Sequence, residues 1–301
     1  MNAADFKLTH SYFEATARAR LNGLLDEASF HEFLPPEDMP SSPHLAILDI
    51  PGAFDDGVII GRASLGGRSV LVAAQEGQFM GGAVGEIHGA KIVGLLRRAI
   101  EEKPAAVVLL VDSGGVRLHE ANAGLIAISE IMRAVLATRA AGIPVLALVG
   151  GSCGAFGGMG IVSRLCSAII ISEEGRLALS GPEVIETVKG VEEFDAKDRA
   201  LVWRVTGGKH RYLMGDCSDL VRDDTASFRR GVEEYMSSHS ESGPSLVSLR
   251  AAQNALKARM QRFGKYRDGL DVWANLGVNE PQQVPLLDRD SLVALKKGLQ
   301  S

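Results

Sequence analysis

The chain has 301 residues, 46% of them hydrophobic, which is ample for a large core built as one big domain or two small ones. Mean hydropathy is +0.08, yet no apolar run reaches the roughly 18 residues of a membrane span and Met1–Lys7 carries no apolar signal region, so a cytoplasmic protein with no membrane contact is expected. A net charge of −5 without a basic cluster argues against nucleic acid, and three cysteines (Cys153, Cys166, Cys217) without C-x-x-C spacing argue against a disulfide framework or a zinc ribbon.

In chain order, residues 10–33 read as a helical arm, because Phe13, Ala17, Leu21, Leu24 and Leu25 recur at helical spacing. Pro35, Pro36, Pro40 and Pro43 then predict an extended loop. Asp56-Gly57 and Gly66-Gly67 punctuate two β-like runs, Val58–Ile60 and Ser69–Ala74, which predicts a hairpin. After a glycine turn at Phe79–Gly85, a helix is expected over Ile87–Glu102, with Ala90, Val93, Leu96 and Ile100 on one face and Pro104 ending it. A strand over 106–111 and a helix over about 119–140 follow, the helix burying Leu125, Ile128, Met132 and Val135. Gly142 and Pro144 stop that helix before a strand at 145–149. Ala168–Ile171, Leu177–Leu179 and Asp219–Val221 read as short strands. Gly181-Pro182 opens a further segment, and residues 192–205, 245–263 and 290–299 read as helical. Alternating apolar strands and helices indicate α/β layering. No linker splits the chain, so 1–301 is expected to be a single domain, with helical arms at 10–33 and 243–301; the last of these is expected to pack on a partner.

Two strand ends carry the chemistry. The apolar run Val145–Val149 empties into Gly150, Gly151, Gly154, Gly157 and Gly158, where a helix is expected to start. The run Ala106–Val111 ends likewise in Asp112-Ser113-Gly114-Gly115-Val116-Arg117. Glycines allow sharp turns and close approach, and unpaired N–H groups at a helix start hold negative charge, whether a forming oxyanion or a phosphate. The two glycine stretches stand about one strand–helix–strand unit apart, so they can converge on one point. Tight packing explains the same glycines equally well.

Several stretches carry a family resemblance. Arg20–Phe33, Asp56-Gly57-Val58, Phe79–Gly82, Gly89-Ala90-Lys91, Asp112–Arg117, Gly142-Ile143-Pro144 and Ser180–Glu186 resemble, in order over about residues 12–225, the acyl-CoA carboxyltransferase subunits. Within that superfamily the chain is similar to the β-subunit family of biotin-independent malonate decarboxylases. The resemblance implies a crotonase-like fold, a spiral of repeated ββα units. It implies a γ subunit as partner and a malonyl thioester carried on an acyl carrier subunit by a CoA-derived phosphopantetheine group. The four-cysteine zinc ribbon of the acetyl-CoA carboxylase β subunit is missing and the chain stops near 300 residues, which favours the decarboxylase subunit.

Decarboxylation of a malonyl thioester leaves an enolate, so donors must meet the thioester oxygen as it becomes negative. Gly114, Gly115, Gly154 and Ala155 are the backbone candidates. In the resemblance, Cys153-Gly154-Ala155 matches the family's hole-forming Gly-Gly, with Ala as a departure. Arg117 matches the arginine that faces the acyl carboxylate; alone it reads equally as a salt bridge to Glu120. His119, Glu120 and His88 are candidates to move the proton, beside bound water or the γ subunit. Gly81, Gly82 and Gly85 are expected to border the pantetheine arm, and Lys91 either meets a phosphate or is solvated. No metal ligand set and no biotin are expected. Gly150-Gly-Ser152-Cys-Gly154 satisfies the bare G-x-S-x-G pattern, so a serine hydrolase of the same superfold is one alternative. A biotin-dependent carboxyltransferase subunit and a non-catalytic interaction subunit are the others.

Overall fold

A two-residue turn starts the sheet: Gly66 (φ 58) and Gly67 (φ 74) both take left-handed φ, the geometry that joins tightly paired antiparallel strands. The computed structural model describes residues 11–38, Ser42 and 57–300. The expected Pro40, Pro43 and Asp56 features lie outside these residues. In order, the strands are β1 (His31–Phe33), β2 (Val58–Leu65), β3 (Arg68–Gln75), β4 (Ala106–Val111), β5 (Val145–Val149), β6 (Ala168–Ser172) and β7 (Asp219–Val221). The helices are α1 (Ala17–Leu24), α2 (Glu86–Glu102), α3 (Ala123–Ala140), α4 (Gly157–Leu165), α5 (Pro182–Lys189), α6 (Arg199–Thr206), α7 (Gly208–Leu213), α8 (Thr225–Ser238), α9 (Leu246–Phe263), α10 (Gly269–Leu276) and α11 (Arg289–Gln300).

The strands form one mixed sheet in sequential order. β1, β2 and β3 pair antiparallel; β3 to β7 are parallel, with Val111 level with Val149. Both faces are covered, which is why β4 and β5 are apolar at every position and β6 at every position but its last, Ser172. Val107, Leu109, Val145 and Ala147 face the core formed with α2, α3 and α4. Val108, Leu110, Leu146 and Leu148 face α1 and α8 through Leu21, Leu24, Phe228 and Val232. The expected α/β layering is present as a mixed sheet with helices; beyond the strand ends, single residues are bridged in the parallel pairs Val84 with Val116, Ser113 with Ala155, and Ala155 with Leu177.

Several sequence expectations are corrected. The 10–33 arm is helical only over Ala17–Leu24, where the Thr16 hydroxyl caps it by accepting from the Ala19 N–H. Ala28 then takes a left-handed φ of 52° and turns the chain into β1. Pro36–Asp38 is one turn of 3-10 helix rather than extended chain. The stripes on α2 and α3 are rotated: Ala90 and Leu125 are exposed, while Gly89, Lys91, Ala127 and Ile131 are buried. The cause is close helix contact through small residues, since a Cβ on Gly89 would sit 2.4 Å from that of Ala127. Leu177–Leu179 is not a strand, and only Leu177 is bridged. Residues 192–198 are turns, with helix beginning at Arg199 after the Asp198 carboxylate cap. The 243–301 stretch divides in two. α9 buries none of its residues, whereas Trp273, Val284 and Leu292 beyond it join the main core.

His210 on α7 sits against Trp273, ring centroids 6.0 Å apart, with Nδ1 buried and unpartnered. Burial, helped by the Arg211 charge, pushes its imidazole down to about 3. An unfolded histidine titrates near 6.5, so between these values the unfolded chain holds a proton the folded chain refuses, and stability rises with pH across that window. At pH 5 the penalty is about 2 kcal/mol. Urea midpoints at pH 5 and 7.5 should show His210→Gln losing most of the acid slope; an unchanged slope would assign it elsewhere.

Candidate active site

β4 and β5 end side by side, and their loops are tied by a buried ion pair. Asp112, the first residue after β4, accepts from Arg20 Nη1 at 2.8 Å, and both side chains are 2% exposed. Its other oxygen accepts the Cys153 N–H at 2.7 Å, and Arg20 Nε donates to the Tyr12 carbonyl at 2.8 Å. A Cβ on Gly151 would lie 2.1 Å from Asp112 Cγ, and one on Gly77 2.5 Å from Asp112 Oδ2. These two glycines are therefore required by packing on the carboxylate.

The loops then interlock: Ser113 N–H donates to Gly154 O at 2.7 Å and Phe156 N–H to Ser113 O at 2.9 Å. This interlocking decides which amides are available. Gly114 N–H donates to Gly81 O, Gly154 N–H to Gly151 O, and Ala155 N–H to Arg176 O, at 2.8, 3.0 and 2.8 Å. Three of the four expected donors are thus committed to the fold. Gly115 makes only a long 3.4 Å contact with Ser113 Oγ. The loop after β5 supplies what the sequence reading missed. α4 begins at Gly157 with no side-chain cap, and among the described residues the N–H groups of Gly158 and Met159 have no partner. A Cβ on Gly157 would come 3.2 Å from Gly115 Cα, so the two backbones touch. Gly115, its N–H weakly held, therefore lies against the first turn of α4, where the N–H groups of Gly158 and Met159 are free and carry the positive helix end behind them.

Arg117 does not face this opening. It is 1% exposed, donates from Nε to Ala83 O and from Nη1 to Glu120 at 3.0 Å each, and lies 5.2 Å from the Phe79 ring. Here the guanidinium is closed onto Glu120, the salt bridge that stands beside the carboxylate grip as the other reading of this residue. Glu120 is buried and accepts the Glu86 N–H. His88 is fully buried with Nε2 at 2.9 Å from Gln75. Of the three proton candidates only His119, on the turn Leu118–Glu120, is exposed.

Gly81 is exposed and open, whereas a Cβ on Gly82 would strike Asp112 O at 1.8 Å and one on Gly85 would lie 2.5 Å from the Arg117–Glu120 pair. Gly82 and Gly85 thus serve packing. Lys91 is neither solvated nor at the opening: it is 2% exposed, with Nζ 3.4 Å from Leu34 O. Among the described residues no cluster of three or more His, Cys, Asp or Glu side chains is arranged to hold a metal.

Ser152 is exposed and no histidine bonds to it or to Cys153 among the described residues. Burial pushes the Cys153 thiol up, the Asp112 charge adding to it, which disfavours the thiolate a nucleophile needs. Ser152→Ala and Cys153→Ala should therefore each keep turnover within about tenfold, about 1.4 kcal/mol. An acyl adduct on either residue by intact mass would restore the nucleophile.

Arg176, just beyond β6, was not singled out by any motif. One Nη donates to Ser152 O, and its guanidinium carbon lies 5.6 Å from the Phe156 ring centroid and 4.7 Å from that of Trp203.

The carboxyl transferase domain family matches residues 9–259. The chain is 40% identical to the malonyl-S-ACP:biotin-protein carboxyltransferase of Malonomonas rubra, over 97% of each chain. It is similar to a subunit in the crystal structure of a Pseudomonas malonate decarboxylase hetero-tetramer in complex with malonate, with TM-score 0.81 and 38% identity over 89% of this chain and 98% of that one. It is also similar to the transcarboxylase 12S subunit, with TM-score 0.63 and 25% identity over 74% of this chain and 41% of that one.

Proposed function

The chain belongs to the carboxyl transferase domain family and is a close homologue of malonate decarboxylase subunits, and from that premise we propose that it cleaves the carboxylate from a malonyl thioester through an enolate. The observation that supports this reading is the close approach of Gly115 to Gly157, beside the N–H of Gly158, partnerless among the described residues, and the Gly115 N–H held only by its 3.4 Å contact with Ser113 Oγ. The thioester oxygen takes the Gly115 and Gly158 N–H groups. The C–C bond to the carboxylate breaks, its electron pair moves through the α-carbon to that oxygen, and CO2 leaves. Fixed donors stabilise the oxygen more as charge develops than in the ground state, which is what lowers the barrier. A proton delivered to the α-carbon completes an acetyl thioester. His119 is the exposed candidate in this chain for that delivery.

The acyl group would arrive on the phosphopantetheine arm of an acyl carrier subunit, passing the open Gly81, and a γ subunit would complete the site. Leu118, Leu179 and Val188 stand 84%, 67% and 75% exposed around the glycine loops, and α9 shows Val247 at 80% and Met260 at 69%. Such apolar surface suits burial by other subunits. A cytoplasmic location agrees with this reading, and among the described residues no helix is long and apolar enough to cross a membrane.

A second reading has one specific observation behind it. The Malonomonas relative is named as a carboxyltransferase to a biotin protein, and on that reading the CO2 unit passes to biotin after the same bond cleavage. Co-purification with candidate γ and carrier subunits, followed by a CO2-release assay on malonyl-carrier, separates the two. Release without any biotin protein supports the decarboxylase; release that requires one supports transfer; none with either overturns both.

A further inference from the structure

Arg176 is a cation without an anion. Its Nε is buried with no hydrogen-bond partner, and among the described residues Nη1 makes no hydrogen bond and no carboxylate forms a salt bridge with it. Arg20 and Arg117, the two other arginines at these loops, are each closed onto a carboxylate. The surroundings hold the Arg176 side chain in place all the same. Its carbonyl accepts the Ala155 N–H, its other Nη donates to Ser152 O, and its guanidinium lies between the rings of Phe156 and Trp203. Arg199 approaches the same Trp203 ring at 5.3 Å and adds positive charge, while the Glu183 and Asp112 carboxylates act on Arg176 from a distance without forming an ion pair. Burial pushes the Arg176 guanidinium down.

A partly desolvated cation with no direct ion pair and with unused donors costs free energy that an incoming anion recovers. The guanidinium fork matches a carboxylate in shape and donor spacing. Its position is equally specific. Arg176 donates to Ser152 O, and a few residues on Gly158 carries an uncommitted amide in the first turn of α4, after Gly157, whose own N–H donates to Leu179 O. One short segment thus carries a cation at its start and the oxyanion donors at its end.

We propose that Arg176 binds the free carboxylate of the malonyl thioester and so sets the preference for malonyl over acetyl groups. This rests on the functional reading given above. The carboxylate still carries much of its charge early in C–C cleavage, so an ion pair to it acts about equally on the bound substrate and on the transition state. Arg176 is therefore a specificity residue, and its removal should act on KM and not on kcat.

The test uses the assembled enzyme with malonyl- and acetyl-pantetheine as probes. Arg176→Gln should raise KM for malonyl-pantetheine about 30-fold, as expected for losing charge-assisted hydrogen bonds. It should leave kcat, and the affinity for acetyl-pantetheine, within about threefold. Arg176→Lys keeps the charge but not the fork, and should fall between. Equal losses for both probes, or a collapse of kcat at constant KM, would assign Arg176 to holding the loop and overturn the proposal. A wild-type preference for malonyl that survives Arg176→Gln overturns the proposal alone. A wild-type assembly that binds the two probes alike overturns the functional reading and the proposal with it. Should Arg176→Gln not fold, an unchanged malonyl KM in Arg176→Lys would still refute it.

Discussion

Gly158→Pro should turn over malonyl-carrier about 10²–10³-fold more slowly than Gly158→Ala, the cost of one oxyanion donor. The two variants share the added Cβ and differ in the N–H and in the ring that fixes φ. Gly158 is the second residue of α4, where the N–H has no intrahelical partner and proline is tolerated. Both substitutions add a Cβ, which would meet Ile128 Cδ1 at 2.6 Å. Cγ1 and Cγ2 of the same buried side chain lie at 2.6 and 2.8 Å, so Ile128 must shift, and it must do so in both variants alike. Each should still co-purify with the partner subunits and bind acetyl-pantetheine through its arm. Equal rates in the two variants would move the donor away from α4.

The second large effect falls on the ion pair behind the loops. Arg20→Leu should destabilise the chain by about 3–5 kcal/mol, because it leaves the Asp112 carboxylate buried without its cation. The carboxylate cannot relax into water: Gly77 and Gly151 close on it and Cys153 N–H points at it. Asp112→Asn should cost a comparable amount, since it strands the Arg20 guanidinium at 1% exposure. The double variant, Arg20→Leu with Asp112→Asn, strands neither charge and should cost clearly less than the sum of the two. Denaturant unfolding of the four proteins closes the cycle. Additive losses would mean that the pair is not coupled and that the loops are held by packing alone.

Much of the scaffold was legible in the sequence because its signals are local. Val145–Val149 and Ala106–Val111 are apolar at every position and bounded by Pro, Gly or Asp, so two central strands and the glycine turns after them follow from the residues themselves. β1 was not legible. His31-Glu32-Phe33 shows no alternation, and it becomes a strand only by pairing with β2, far along the chain. The faces of α2 and α3 were misread because large residues were counted, whereas contact runs through Gly89 and Ala127.

The site was legible as a place and not as a set of donors. Whether an amide is available depends on an acceptor from another loop, such as Gly81 O for Gly114 or Arg176 O for Ala155. No spacing within a motif encodes that. Arg117 illustrates the same limit, since Glu120 three residues on closes the guanidinium away from the opening. Arg176 is the converse. Its significance lies in the lack of a counter-ion among the described residues, a property of the folded surroundings rather than of Glu174-Gly175-Arg176 as a string.

The enolate itself can be tested without the carboxylate. Microscopic reversibility requires the group that protonates the α-carbon to remove a proton from an acetyl thioester, with the same amides holding the oxygen. The assembled enzyme in deuterated water should therefore exchange solvent deuterium into the methyl group of acetyl-pantetheine, read by mass spectrometry. The account predicts that exchange persists in Gly158→Ala and in Arg176→Gln, which leaves the oxyanion donors intact, and is lost in Gly158→Pro. Exchange that continues unchanged in Gly158→Pro would contradict it.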